Sequence, residues 1–207
     1  STVVLFQPEI RRTLAALGSL LFSEGSRQFD GKHVTPERMT EAIFDLARRK
    51  IGALIAFERG ISLRGYEGSG VAIDAIPSRE LLVSVFTPPL PLHDGGVTIR
   101  NGRLAAAHCL FPVSVNHDLY ESGMRHRAAV GISEETDALV LVVSEESGRI
   151  SVAHNGRLIR YNGDSEVSKA SVLRWVRKAM PMKKAVGEKA AEWFRERLAK
   201  FGRSCEK

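Results

Sequence analysis

Three short segments carry chemistry-bearing side chains in excess of what folding alone needs. The first is Pro91-Leu92-His93-Asp94-Gly95-Gly96. Glycines let a ligand approach the backbone closely, and exposed amides beside them can hold an anion. The Asp94 carboxylate is a hard oxygen donor of the kind that binds Mg²⁺ or Mn²⁺ on phosphates. His93 can serve as a second ligand or as a proton acceptor. The same Asp-Gly pair also reads as a plain turn. The second segment is Gly123-Met124-Arg125-His126-Arg127. Guanidinium groups suit bidentate phosphate binding. On a helix, positions i and i+2 do not share a face, so Arg125 and Arg127 would reach different anions or different sides. A solvated basic turn explains the segment equally well, and phosphate capture at the N-terminus of a helix opened by Gly123 is a further alternative. The third is Ser144-Glu145-Glu146, directly after the apolar run Leu139–Val143. Ligands of open α/β sheets gather beyond the carboxyl ends of strands. A polar loop after a strand is also what any fold shows. Together the three segments point to metal-assisted phosphate chemistry. No Walker A pattern or zinc spacing competes, and Ser133, Asp137 and His126 lack the Gly-x-Ser-x-Gly elbow that a hydrolytic triad of this kind uses.

The elements that must position these residues are readable from periodicity and punctuation. Pro8 followed by Ile10, Leu14, Leu17 and Leu21 predicts a first helix. Thr35-Pro36-Glu37 is an N-cap with proline at the first helical position, and Met39, Ala42, Ile43, Leu46 and Ala47 form the buried face behind it. Ala53–Phe57 reads as a buried strand, and residues 60–70, with Gly60, Gly65, Gly68 and Gly70, as turn-rich. Ser78 caps a helix running to Phe86, ahead of the breaker run Thr87-Pro88-Pro89-Leu90-Pro91. Two hairpins turn at Asn101-Gly102 and Asn155-Gly156, because Asn-Gly supplies the two positive φ angles a tight hairpin needs. Leu139–Val143 is a central strand between them. Ser165 opens a helix whose face is Val172, Trp175, Val176 and Ala179, and Pro181 ends it. Ala190, Phe194, Leu198 and Phe201 stripe a last, basic helix. The expected architecture is a single α/β domain with a mixed central sheet, containing both hairpins, flanked by helices. It divides into a helical lead-in (1–34), a main domain (35–181) and a basic amphipathic tail (182–207).

Composition narrows the partners. The chain has 207 residues, 43% hydrophobic and 26% charged, with a net charge of +6. Residues 174–207 hold eleven Lys or Arg against four Glu, which leaves residues 1–173 close to neutral. The basicity therefore describes the tail, and a whole surface built to grip nucleic acid is disfavoured despite a pI near 9.6. No apolar run approaches the roughly 18 residues of a membrane helix. Cys109 and Cys205 stand alone, without metal or disulfide spacing, as in a reducing compartment. The chain begins at Ser1 with no signal peptide, as expected of a processed or excised piece of something longer.

Taken with their order and spacing, the motifs resemble the bacterial diadenylate cyclase (DAC) family. The resemblance rests on Leu92-His93-Asp94-Gly95-Gly96-Val97 and its hairpin, on the stretch from Arg125-His126-Arg127 to Ser133-Glu134, and on Val142-Val143-Ser144-Glu145-Glu146-Ser147-Gly148 before the second hairpin. It covers roughly residues 35–165. Phe6-Gln7-Pro8-Glu9-Ile10-Arg11-Arg12 resembles the juxtamembrane start of the membrane-anchored class. The resemblance implies condensation of two ATP into cyclic di-AMP and two pyrophosphates with a divalent cation, Mn²⁺, Mg²⁺ or Co²⁺. It implies Asp94 as metal ligand and activator of the 3′-hydroxyl, with His93 as second ligand. Gly95 and Gly96 would admit ribose and base, and Leu110 and Phe111 would lie against adenine. Arg125, His126 and Arg127 would bind and polarise phosphates. Gly123, Met124, Ser144, Glu145 and Glu146 would complete the nucleotide site, Glu146 by way of the metal or the phosphates. The chain departs from the family's usual residues at Gly96 (alanine), Phe111 (leucine) and Met124 (threonine). A product made of two nucleotides implies a face-to-face homodimer. The resemblance further implies a cytoplasmic domain of a membrane-anchored protein, no specific nucleic acid, and room for a regulatory protein partner. The competing readings are a catalytically silent ATP- or cyclic-dinucleotide-binding module and, from the pI, a nucleic-acid binder.

Overall fold

The computed structural model describes residues 34–116, 123–162 and 165–180. The expected first helix, Pro181 and the basic last helix lie outside the described residues. Thr35 caps α1 (Pro36–Arg48) by accepting the Arg38 amide on Oγ1 at 3.3 Å. The helix buries Met39, Ala42, Ile43 and Leu46, the face its spacing predicts. β1 (Ala53–Phe57) follows and is buried throughout. The segment expected to be turn-rich contains a short helix, α2 (Arg64–Glu67), and leads into an unanticipated strand, β2 (Val71–Ala75). That strand lies at a sheet edge and is largely exposed, so it lacks the apolar alternation that would have marked it. Ser78 caps α3 (Arg79–Phe86) by accepting the Leu81 amide at 3.2 Å.

Both hairpins form at the predicted turns. β3 (Gly96–Arg100) and β4 (Arg103–Cys109) join through Asn101 and Gly102, at φ +52° and +73°. β6 (Ile150–His154) and β7 (Arg157–Tyr161) join through Asn155 and Gly156, at φ +51° and +71°. Between the hairpins run α4 (Met124–Glu135) and β5 (Leu139–Val143), and α5 (Glu166–Ala179) follows β7 behind the Ser165 cap.

The seven strands make one mixed sheet in the order β2-β4-β3-β1-β5-β6-β7. Only β1 and β3 are parallel; the other five pairings are antiparallel. Alternate residues of β1 and β5 feed two cores. Ile55, Phe57, Leu139, Leu141 and Val143 pack with α1, α3 and α5 on one face. Leu54, Ala56, Val140 and Val142 pack with Ala129, Val130 and Ile132 of α4 on the other. The register puts Ala53 opposite Val143, Val143 opposite Ile150, and Ile150 opposite Tyr161. Gly96 likewise stands opposite Cys109. The starts of β1, β3 and β6 and the ends of β4, β5 and β7 therefore share one end of the sheet.

The opposite end is tied by Asp137, just ahead of β5. Its carboxylate accepts the amides of Gly60 and Ile61, beyond β1, at 2.9 and 2.8 Å. Ser133 donates to the Val130 carbonyl at 2.8 Å and accepts the Gly156 amide at 3.1 Å. Neither side chain is poised as a triad member with His126. Asp137→Ala strands two backbone donors, and we expect it to cost about 1.5 kcal/mol. Thermal unfolding should show a midpoint lowered by roughly 3–6 °C; an unchanged midpoint would mean the tie contributes nothing.

Candidate functional site

A cavity of about 740 Å³ opens at the shared end of the sheet. That is a size suited to a small molecule or nucleotide. Asp94 contributes from the loop before β3, and Gly123, Met124, Arg125 and His126 from the start of α4. Ser144, Glu145, Glu146, Ser147 and Arg149 contribute from the loop after β5, and Ser151 and Arg160 from the second hairpin. The three chemistry-bearing segments of the sequence thus converge on one space.

The Asp94 loop is braced from its own backbone. Asp94 Oδ1 accepts the Gly95 amide at 2.9 Å, and the Asp94 carbonyl lies 2.9 Å from Nδ1 of His108. His93 Nδ1 lies 2.6 Å from the Leu90 carbonyl, which leaves Nε2 as its other nitrogen. His93 is not among the residues lining the cavity.

α4 begins at Met124 behind Gly123 at its N-cap, and among the described residues no side chain caps it. Its first-turn amides, with the positive end of the helix dipole, face the cavity end of the sheet. Arg125 pairs with Glu145, Nη1 to Oε2, at 2.5 Å. Its Nε is buried with no hydrogen-bond partner among the described residues. The pair lies across Gly52, where a Cβ would stand 2.7 Å from both Nη1 and Oε2. His126 is held below the ordinary imidazole pKa, first by burial and then by the Arg160 and Arg125 charges, with Glu146 opposing. At neutral pH it is uncharged, able to donate from one nitrogen and accept on the other.

Arg127 points elsewhere. Its Nη2 donates to the Ser114 carbonyl at 3.4 Å, and the Ser114 amide donates to the Arg127 carbonyl at 3.0 Å. Ser114 also donates to Glu134 at 2.8 Å, so this face of α4 fastens the segment leading from β4. The two arginines do part to different sides, as their i, i+2 spacing requires.

The Ser144–Gly148 loop is a tight turn in which the Gly148 amide donates to the Ser144 carbonyl at 2.9 Å. Glu145 and Glu146 are exposed at its tip. Leu110 is 65% exposed, whereas Phe111 is only 9% exposed, edge-on to Tyr66 at 6.1 Å between ring centroids. A Cβ at Gly96 would meet the Phe111 ring at 2.4 Å. Phe111 therefore backs Gly96 from within the core, and Leu110 offers the apolar surface to solvent.

Residue types and spacing did not reveal Gly52, Arg149, Ser151 or Arg160. The usable signal for the last two was the Asn155-Gly156 turn, whose two-residue register pairs Ser151 with Arg160. Gly52 had none, because its meaning arises only where two side chains cross above it.

The donor set fits a particular kind of cation. Among the described residues no cluster of three or more His, Cys, Asp or Glu could hold a metal ion. Asp94 offers a single carboxylate in the cavity, with the exposed Glu145 and Glu146 on another element. A divalent cation here would complete its shell with phosphate oxygens and water, as Mg²⁺ does at nucleotide sites.

The profile described as DAC, DisA bacterial checkpoint controller nucleotide-binding, matches residues 40–158. The chain belongs to the DAC family. It is 45% identical over 161 residues to the cyclic di-AMP synthase CdaA of Bacillus subtilis, covering 76% of this chain and 59% of that protein. It therefore spans somewhat under two thirds of the length of that relative. Among solved structures it resembles a double mutant of DacA from Staphylococcus aureus, with a TM-score of 0.66 and 39% identity, covering 70% of this chain and 95% of that one. It also resembles a hypothetical membrane spanning protein from Bacillus cereus, with a TM-score of 0.58 and 43% identity, covering 61% and 62% of the two chains.

Gly96 and Phe111, where the resemblance implies alanine and leucine, form one packing solution. The ring fills the space the methyl would take. We expect Gly96→Ala alone to destabilise by about 1–3 kcal/mol through overpacking. Adding Phe111→Leu should recover a substantial part of that loss. A double-mutant cycle from denaturant unfolding measures the coupling, and additive effects would show the positions to be independent.

Proposed function

We propose that this chain is the catalytic part of a diadenylate cyclase, condensing two ATP into cyclic di-AMP and two pyrophosphates with a divalent cation. The observation that carries this reading is the convergence of Asp94, the start of α4 with Arg125, and the Ser144–Glu146 loop on one cavity. One carboxylate suits a metal-borne nucleotide, and the first-turn amides of a helix with a guanidinium suit its phosphates. Bound with the nucleotide, the cation neutralises phosphate charge and eases deprotonation of the 3′-hydroxyl.

The residues of the chain do the rest. Asp94 would hold the cation and thereby orient the nucleotide bound to it. Arg125 exchanges Glu145 for a phosphate oxygen, leaving Glu145 and Glu146 to face the sugar, the base or the cation. Neutral His126 donates a hydrogen bond without repelling the arginines around it. Arg127 acts as a brace for the segment through Ser114. We assign to Asp94, with His93 as second ligand, the holding of the divalent cation (Mn²⁺, Mg²⁺ or Co²⁺) that the nucleotide would bring. Exposed Leu110 and Met124 offer apolar surface to a base.

One cavity holds one ATP, yet the product joins two. Two copies must face each other with the 3′-oxygen of one nucleotide in line with the α-phosphorus of the other. That oxygen bonds to phosphorus as the bond to the α,β-bridging oxygen breaks. Pyrophosphate leaves with the electron pair, and the 3′-proton passes to water. Among the described residues no helix is long and apolar enough to cross a membrane. The Phe6–Arg12 resemblance, together with the kinship to a protein described as membrane spanning, supports a cytoplasmic catalytic unit of about residues 35–181 behind a membrane anchor.

Purified chain incubated with ATP and Mn²⁺ should yield cyclic di-AMP, detected by mass. ATP binding without product would instead support a silent binding module. Asp94→Asn should keep the thermal midpoint and abolish product, and substantial remaining activity removes Asp94 from this role. Specific activity should fall on dilution. A stable monomer with full specific activity would overturn the two-copy mechanism.

A further inference from the structure

We propose that Ser151, Arg149 and Arg160 form a subsite for the β- and γ-phosphates of ATP, and hence for the pyrophosphate that leaves. This rests on the cyclase reading and adds to it the place where the distal phosphates sit. Ser151 is 1% exposed, and its Oγ has no hydrogen-bond partner among the described residues. Buried hydroxyls are seldom left so, and this one belongs to a residue of the cavity wall. Its direction follows from the strand. Ile150 and Val152 enter the core shared with α1 and α5, while Ala153 enters the core beneath α4. Alternation therefore turns Ser151, like Ala153, toward α4.

The hairpin register pairs Ser151 with Arg160, so the two side chains stand on the same face one strand apart. Arg160 is near enough to His126 for its charge to depress that imidazole. Arg149, directly before β6, lines the same cavity. Both arginines are exposed, with long side chains that can turn toward an anion. A hydroxyl lacking an acceptor, two guanidinium groups and the first turn of α4 make a place for a dense, multiply charged anion.

The strand order sets the sequence of groups along the site. From β3 across β1, β5 and β6 to β7 is four strand spacings, about 19 Å. Asp94 lies at the β3 side, Arg125 with Glu145 over the β1–β5 junction, and Arg160 at the β7 side. Sugar, α-phosphate and distal phosphates fall along that line in order. Cyclic di-AMP has no distal phosphates and makes no use of the far end.

The test uses the whole chain with Mg²⁺ and four ligands: 3′-deoxy-ATP, which binds without condensing, 3′-deoxy-AMP, inorganic pyrophosphate and cyclic di-AMP. Calorimetric titration of Arg160→Gln and Arg149→Gln should show 3′-deoxy-ATP and pyrophosphate weakened about tenfold. Ser151→Ala, which removes one oxygen, should weaken the same two ligands by about threefold. Affinities for 3′-deoxy-AMP and cyclic di-AMP should stay within about twofold of wild type, which also shows that each variant is folded. If wild type binds all four ligands and the variants bind 3′-deoxy-ATP and pyrophosphate as wild type does, the subsite is wrong and the cyclase reading stands. Equal weakening of 3′-deoxy-AMP in Ser151→Ala also overturns it. If wild type binds no adenine nucleotide, the cyclase reading itself fails.

Discussion

The antiparallel pairing of β1 with β5 is the constraint on which the site depends. β1 runs parallel to β3, so the Asp94 loop and Gly52 both precede strands at the same end. Reversal at β5 brings the exit of that strand, with Ser144 and Glu145, to that end as well. Each hairpin then preserves the alternation, delivering Ser151 at the start of one strand and Arg160 at the close of its neighbour. In an all-parallel sheet the loops before and after strands would lie at opposite ends. Here one reversal collects both kinds around the start of α4.

That arrangement also sets acidic and basic side chains against one another in a single cavity. Arg125, Arg149 and Arg160 share the cavity with Asp94, Glu145 and Glu146, so the charges offset one another. The Arg125–Glu145 pair keeps a guanidinium ordered without an anion, and it does so only because residue 52 has no side chain to intrude. Desolvation and two neighbouring cations keep His126 neutral. The site is held poised by pairing within its own wall.

Much of the fold was legible because the relevant signals are local. Asn-Gly turns, the Thr35 and Ser78 caps and the apolar runs of β1 and β5 depend on neighbours a few residues away, and all appear where the chain predicts them. β2 was hidden because an exposed edge strand needs no buried alternation. The site was legible as three segments but not as a volume. Arg127 shares a motif with Arg125 yet braces Ser114, while Arg160, in no motif, enters the cavity. Phe111 reads as a surface for a base but is buried behind Gly96. Those outcomes depend on strand register and on which helix face meets the sheet, and residue type does not encode either by itself.

The Gly96–Phe111 contact has a historical side. A glycine–phenylalanine pair and an alanine–leucine pair would be joined by single-residue steps, and those steps are unequal. Trading alanine for glycine first leaves a methyl-sized gap, a modest loss that a folded protein tolerates. Trading leucine for phenylalanine first drives a ring into an occupied position in a close-packed core. The passage between the two forms therefore has a preferred direction at each end: the small residue shrinks before the large one grows, and the large one shrinks before the small one returns.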